Sequence, residues 1–131
     1  MVETRYCTIL VGSLRQNSLN RAAAECAADH LADRFSIYQP DLAVVPPFNQ
    51  DVEDAGDPPV VEDLKAAVLN SELVLIFSPE YNYGIPGLLK NTIDWLSRPF
   101  RAGSLIGRVV GITSVTPGPR GGEHTREQLL Q

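Results

Sequence analysis

Three short stretches of this sequence carry residues whose types and spacing can do chemistry, and each follows an apolar run. The first is Gly12-Ser13-Leu14-Arg15-Gln16-Asn17-Ser18-Leu19-Asn20. Glycine permits a tight backbone turn, Ser13 and Ser18 supply hydroxyl donors, and Arg15 adds a forked cation. A helix beginning here presents free N–H groups and the positive end of its dipole. Together these groups suit a phosphate monoester. A serine- or asparagine-capped helix start with an exposed arginine would read the same way. The stretch matches neither G-x-G-x-x-G nor G-x-x-x-x-G-K-[ST], which argues against the usual dinucleotide and ATP loops.

The second stretch, Ser78-Pro79-Glu80-Tyr81-Asn82-Tyr83-Gly84-Ile85-Pro86-Gly87, ends an apolar run. Large aromatic rings at a sheet edge stay partly wet unless something covers them. A flat ligand would do so, with the backbone N–H groups of a rigid turn bonding its heteroatom edge. Packing of Tyr81 and Tyr83 on neighbouring loops or on a second subunit is the alternative. The third stretch, Ser114-Val115-Thr116-Pro117-Gly118-Pro119-Arg120-Gly121-Gly122, again follows an apolar run. Its glycines let backbone approach a ligand closely, though ordinary turns use the same residues.

Strands and helices must position these loops. Tyr6 to Val11 and Leu73 to Phe77 are continuous β-favouring runs, as expected of strands buried on both faces in a parallel sheet. Further strands are expected at about Phe35 to Gln39 and Arg108 to Val115. Helical spacing of Leu19, Ala22, Ala23, Cys26, Ala27 and Leu31 marks a helix from Asn17 to about Asp33 with that face buried. Val60 to Ser71 forms a second helix, a third begins near Pro86 with Leu89, Ile93 and Leu96 inward, and a fourth runs from Glu123 to Gln131. Pro40 to Pro59, rich in proline and acids, reads as an irregular loop whose carboxylates face solvent. Four strands alternating with four helices imply βαβ units, right-handed crossovers and a doubly wound, mostly parallel sheet of α/β class. In such sheets ligands bind beyond the carboxyl ends of the strands, which is where all three stretches fall.

Composition bounds the function. With 131 residues, 44% apolar and 21% charged, the chain suits one soluble globular domain. A net charge of -5 argues against a general nucleic-acid binder. No signal-peptide pattern opens the chain and nowhere do about 18 apolar residues run together, so neither secretion nor a membrane span is expected. Cys7 and Cys26 have no metal-type spacing and read as reduced core thiols of a cytoplasmic protein, with a disulfide or redox role as the alternative. His30 and His124 read as structural or solvent-exposed, leaving no credible acid–base set and no metal site.

At these residues the sequence resembles the NADPH-dependent FMN reductase family, with its flavin, quinone, chromate and azo-compound reductases. The first stretch carries the resemblance, together with Leu42-Ala43-Val44-Val45-Pro46-Pro47-Phe48-Asn49-Gln50-Asp51. The longest and most specific match runs from Ser78 through Leu88-Leu89-Lys90-Asn91-Thr92-Ile93-Asp94-Trp95-Leu96-Ser97-Arg98-Pro99. The resemblance implies a flavodoxin-like, three-layer αβα domain over residues 1–131 that binds FMN. It places the FMN phosphate on Ser13, Arg15, Ser18 and Asn20. The isoalloxazine would lie against Pro79, Glu80, Tyr81, Asn82, Tyr83 and Gly84, with Ser114 and Gly118 near the ring or ribityl chain. The flavin would carry the chemistry, with no catalytic side chain. NADPH or NADH would donate electrons and a small-molecule acceptor such as a quinone, free flavin or azo compound would take them. Arg98, Arg101, Arg108 and Arg120 are candidates to attract a 2′-phosphate.

The resemblance also implies a homodimer or homotetramer, with Leu88 to Leu96 and the following Arg98-Pro99-Phe100 in the contact. The family's sheet normally continues with a fifth strand and a last helix, so a sheet edge is expected to stand open unless a partner covers it. Two rival expectations follow from that: an FMN-binding or interaction module with little or no turnover, and a poorly folded remnant.

Overall fold

The computed structural model describes residues 2–131. Its strands are β1 (Tyr6–Val11), β2 (Ser36–Tyr38), β3 (Leu73–Phe77) and β4 (Val109–Thr113). The helices are α1 (Leu19–Leu31), α2 (Gln50–Asp54), α3 (Pro59–Asn70), α4 (Gly87–Leu96) and α5 (Glu123–Leu129). The strands form one parallel sheet in the order β2-β1-β3-β4. The central pairing runs in register from Cys7 opposite Leu73 to Val11 opposite Phe77. This is the doubly wound, flavodoxin-like α/β fold. Among the described residues no helix is long and apolar enough to cross a membrane.

The two central strands are apolar on both faces because both faces are covered. Leu10, Val74 and Ile76 pack with Val61, Leu64 and Val68 of α3 and with Leu89, Trp95 and Leu96 of α4. Cys7, Ile9, Val11 and Phe77 point the other way, toward Ala24 of α1 and its neighbours Ala23, Ala27 and Leu31. Burial raises the pKa of the Cys7 thiol, keeping it protonated and inert. β2 and β4 are the outer strands, and Val109 of β4 is 66% exposed.

The structure departs from the sequence-based expectations in two places. The first is α1, where Asn20 and Ala24 are the buried residues while Leu19, Ala22 and Cys26 are exposed. Cys26 is therefore a surface thiol and not a core one. The inward stripe lies about one residue further along because Asn20 bonds the backbone of Val115, whereas alanines constrain helix rotation weakly.

The second is the segment between Pro40 and Pro59, which is ordered by packing. It holds a 3-10 turn, Leu42–Val44, and the short α2, so the helices number five among the described residues and not four. Asp41 caps the turn and Asn49 caps α2. Leu42 and Val45 enter the core, and Pro46 O accepts from Asn91 Nδ2 and Trp95 Nε1 at 2.9 and 2.8 Å. The acids are only partly a solvated face: Glu53 pairs with Arg98 at 2.8 Å, and Asp57 with Lys65.

Candidate functional site at the carboxyl edge of the sheet

Because the strands are parallel, the chain leaves β1, β3 and β4 at one edge. The chain order reverses between β1 and β3, the crevice where open α/β sheets place ligands. Hydrogen bonds from Gly12 N to Phe77 O at 2.8 Å and from Ser78 N to Thr113 O at 2.9 Å carry the ladders past the strand ends. They hold the three loops side by side. A Cβ on Gly12 would lie 3.3 Å from Pro79 Cδ, so the close approach of the first two loops depends on a bare backbone there.

The first loop runs into α1 through Ser18, whose hydroxyl caps the helix by accepting from Arg21 N. Ser13 Oγ accepts from Arg15 N at 3.2 Å and lies 3.5 Å from Tyr81 OH of the second loop. Arg15 is exposed, and one guanidinium N–H donates to Asn17 O at 2.9 Å. Arg21, which sequence reasoning missed, reaches back to Ser13 O. An arginine three residues past a serine cap is a signal that would have found it.

The second loop is a tight hairpin in which Tyr81 and Gly84 exchange backbone hydrogen bonds. Asn82 and Tyr83 both have left-handed backbones, at φ 51° and 63°, the geometry of a type I′ turn. That conformation is rare for tyrosine and persists where surrounding structure enforces it. Here α5 enforces it. Gln128 donates from Nε2 to Tyr83 O at 3.2 Å and accepts at Oε1 from Ile85 N at 3.1 Å. His124 packs edge-on against the Tyr83 ring, and the Arg120 guanidinium lies 4.4 Å from its centroid. Among the described residues the N–H groups of Asn82 and Tyr83 meet no protein acceptor.

These loops enclose a cleft of about 260 Å³ lined by Ser13, Arg15, Ser18, Asn20, Tyr81 and Thr116, among others. Pro79 and Glu80, which precede Tyr81 in the second loop, line it too. A second hollow of about 130 Å³ shares Glu80 and Thr116 and adds Gly118 and Arg120. Asn82, Tyr83 and Gly84 stand in the hairpin beside the cleft, and Ser114 lies outside its lining, its hydroxyl turned toward Gly122. A wider groove of about 780 Å³ opens at the other edge of the sheet between β1, β2 and the end of α3. Its lining includes Glu3 and Glu72, the latter paired with Arg5, and no arginine or lysine, so the smaller cleft, which Arg15 lines, is the better candidate for an anion.

Of the four late arginines only Arg120 adjoins this site. Arg98 is paired with Glu53, Arg101 lies over Phe100, and Arg108 donates to Leu69 O at the end of α3. Ser13 Oγ and Ser18 Oγ bond only backbone N–H groups and Tyr81 among the described residues. No base activates them as nucleophiles. Chemically, hydroxyls, a guanidinium and exposed tyrosine rings suit an anion and a flat ring.

Glu80 joins the hairpin to α5. Its side chain is 11% exposed; Oε1 accepts from Thr125 N at 3.1 Å, and His124 Nδ1 and Arg120 Nε lie 3.4 and 3.9 Å from Oε2. Burial alone would raise its pKa, but the hydrogen bonds from Thr125 N–H and His124 outweigh that and hold it below the usual glutamate value. A depressed carboxylate contributes stability that is present above its unfolded pKa and lost as pH falls through the folded one. Thermal midpoints measured from about pH 7 down to about pH 3 are therefore expected to fall less steeply in Glu80→Gln than in the parent. Parallel curves would show that Glu80 does not carry this linkage.

Comparison with known proteins agrees with the fold. The profile of the NADPH-dependent FMN reductase family matches residues 7–131. A quinone reductase of Pseudomonas putida KT2440 is 33% identical over 122 residues, covering 93% of this chain and 66% of that protein. An NAD(P)H-dependent FMN reductase of Pseudomonas aeruginosa PAO1 is 42% identical over 88 residues, 67% of this chain and 48% of that one. The chain thus spans about two thirds of the first relative and about half of the second. Among solved structures, a flavoenzyme NAD(P)H:(acceptor) oxidoreductase of Paracoccus denitrificans superposes with a TM-score of 0.88 at 31% identity, over 96% of this chain and 69% of its own. With its profile match running from residue 7 to residue 131 and taking in all three loops at the carboxyl edge, the chain belongs to the NADPH-dependent FMN reductase family.

Proposed function

We propose that this chain binds FMN along the carboxyl edge of its sheet and, with NADPH or NADH as donor, reduces a small-molecule acceptor of the quinone, free-flavin or azo type. One observation carries the reading: a single cleft gathers Ser13, Arg15 and Ser18 of the first loop with Pro79, Glu80 and Tyr81 of the second. The donor set fits the group. Hydroxyls, a guanidinium and a helix start suit its phosphate, while exposed tyrosines and two unpartnered N–H groups suit the edge and face of its ring.

When bound, FMN supplies the two-electron chemistry, taking electrons from the nicotinamide and passing them to the acceptor. The chain's own work is placement. Arg15, Ser13 and Ser18 hold the phosphate, and Pro79, Glu80 and Gly84 keep the hairpin rigid so that Asn82 and Tyr83 present their N–H groups. Asn20 joins the walls of the cleft, Gly118 lines its extension, and Ser114 opens the third loop with its hydroxyl toward Gly122. Arg120, over the Tyr83 ring, is placed to meet a nucleotide phosphate. A net charge of -5 makes these arginines local exceptions that direct an anionic ligand to one edge. Exposed Phe100 and Ile106, at 73% and 62%, support self-association as a homodimer or homotetramer. A reduced nicotinamide donor, drawn from the cell's interior pool, supports a cytoplasmic location.

The purified chain is expected to show a flavin absorbance spectrum, or to take up FMN stoichiometrically, and to oxidise NAD(P)H when FMN and a quinone are supplied. A chain that binds no FMN refutes the reading. Stoichiometric binding without NAD(P)H oxidation would reduce it to flavin binding alone.

A further inference from the structure

Asn20 occupies the second position of α1 and is only 2% exposed. Asparagine is a poor residue inside a helix, because its amide competes for backbone hydrogen bonds. Here the amide reaches across the molecule. Nδ2 donates to Val115 O at 3.0 Å, and Oδ1 accepts from Val115 N at 2.9 Å. Both ends of one side chain therefore grip both polar groups of one backbone residue, as a neighbouring strand would.

The site of that grip matters. The β3–β4 ladder ends at Phe77 and Thr113, and Ser114 Oγ beyond it is buried without a partner. Val115 makes no other backbone hydrogen bond among the described residues. The Asn20 amide is thus what fixes the main chain of the third loop where it leaves the sheet. Ser18 and Asn20, from the start of α1, and Val115, Thr116 and Pro117, from the third loop, supply adjoining walls of the 260 Å³ cleft. The amide ties these two walls together.

We propose that, given FMN in this cleft, Asn20 is a positioning residue that sets the separation of the cleft walls, and that it does not hold the phosphate through its side chain. A phosphate ligand and a wall-setting residue make different demands on the two forms of the flavin. Riboflavin lacks the phosphate but needs the same walls for its ring and ribityl chain. Losing Asn20 therefore weakens both, whereas losing a phosphate contact weakens FMN alone.

The test titrates FMN and riboflavin into the full chain and into Asn20→Ala, with the thermal midpoint recorded for each. Removing the amide leaves two buried backbone groups unpaired, so both dissociation constants are expected to rise by about tenfold. Their ratio is expected to stay within about threefold of the parent's. A loss confined to FMN makes Asn20 a phosphate ligand and overturns the proposal. A lower midpoint with both affinities unchanged makes it merely structural, which also overturns it. Asn20→Gln, which keeps an amide but displaces it by one methylene, provides the same comparison if the alanine variant fails to fold. Amide exchange at Val115 separates this proposal from the FMN reading on which it rests. Slow exchange in the parent that becomes fast in Asn20→Gln supports the tie even if no flavin binds, and fast exchange in the parent overturns it.

Discussion

Arg15→Ala is expected to raise the dissociation constant for FMN by about 50-fold while changing that for riboflavin by less than about threefold. The asymmetry follows from what the guanidinium can meet. Arg15 is exposed at the mouth of the cleft with one N–H on Asn17 O, leaving the rest of its donor fork free. A phosphate is the only charged part of FMN, and charge-assisted hydrogen bonds contribute about 1.5–3 kcal/mol each. Riboflavin presents a hydroxyl there instead. Arg15→Lys keeps the charge without the fork, so FMN affinity should fall by about tenfold and depend more steeply on salt. Fluorescence titration with both flavins measures all of these. If the two flavins lose affinity equally, Arg15 is acting only on the loop through Asn17 O, and the phosphate belongs elsewhere.

The parallel sheet and the three candidate loops were legible in the sequence because each rests on local chemistry. Leu73 to Phe77 cannot be an exposed strand, and Gly12 and Gly84 stand where backbones approach or turn. The residues that lock the loops together were not legible, because their partners are far away in the chain. The family resemblance offers Asn20 as a phosphate contact, and nothing near it in the sequence signals that its amide bonds Val115, 95 residues on. His124, Thr125 and Gln128 looked like an ordinary helix start, and only the fold brings them onto Glu80 and Tyr83. Tyr83 itself gives no sign of its left-handed backbone, which depends on α5. The Pro40 to Pro59 segment misled for the opposite reason. Its prolines and acids do mark irregular backbone, but Leu42, Val45 and Phe48 are apolar residues that need a place in the core.

That place is set by Trp95, and Trp95→Ala is expected to cost about 4 kcal/mol of folding stability. The side chain is fully buried, its Nε1 donates to Pro46 O at 2.8 Å, and the Phe48 ring meets it edge-on with centroids 4.9 Å apart. Truncation leaves a cavity between α4 and the segment preceding α2, while Asn91 still holds Pro46 O and Phe48 N. The cost is therefore mainly lost packing. Trp95→Phe, which keeps an aromatic ring and loses the N–H, should cost about 1–2 kcal/mol. Trp95 is the only tryptophan, so urea unfolding must be followed by circular dichroism and not by its fluorescence. A domain of this size has about 5–15 kcal/mol in all, so the alanine variant sits near the threshold of folding. Ligand then becomes a second measurement. FMN at about 100 times its dissociation constant adds about 2.7 kcal/mol to any state that binds it. Because Trp95 lies in the core and outside the cleft lining, excess FMN should restore most of what the substitution removes. A loss below about 1 kcal/mol would show that the segment does not depend on this anchor. A large loss that FMN fails to restore would show that α4 and its anchor shape the cofactor site directly, through the hairpin that leads into the helix.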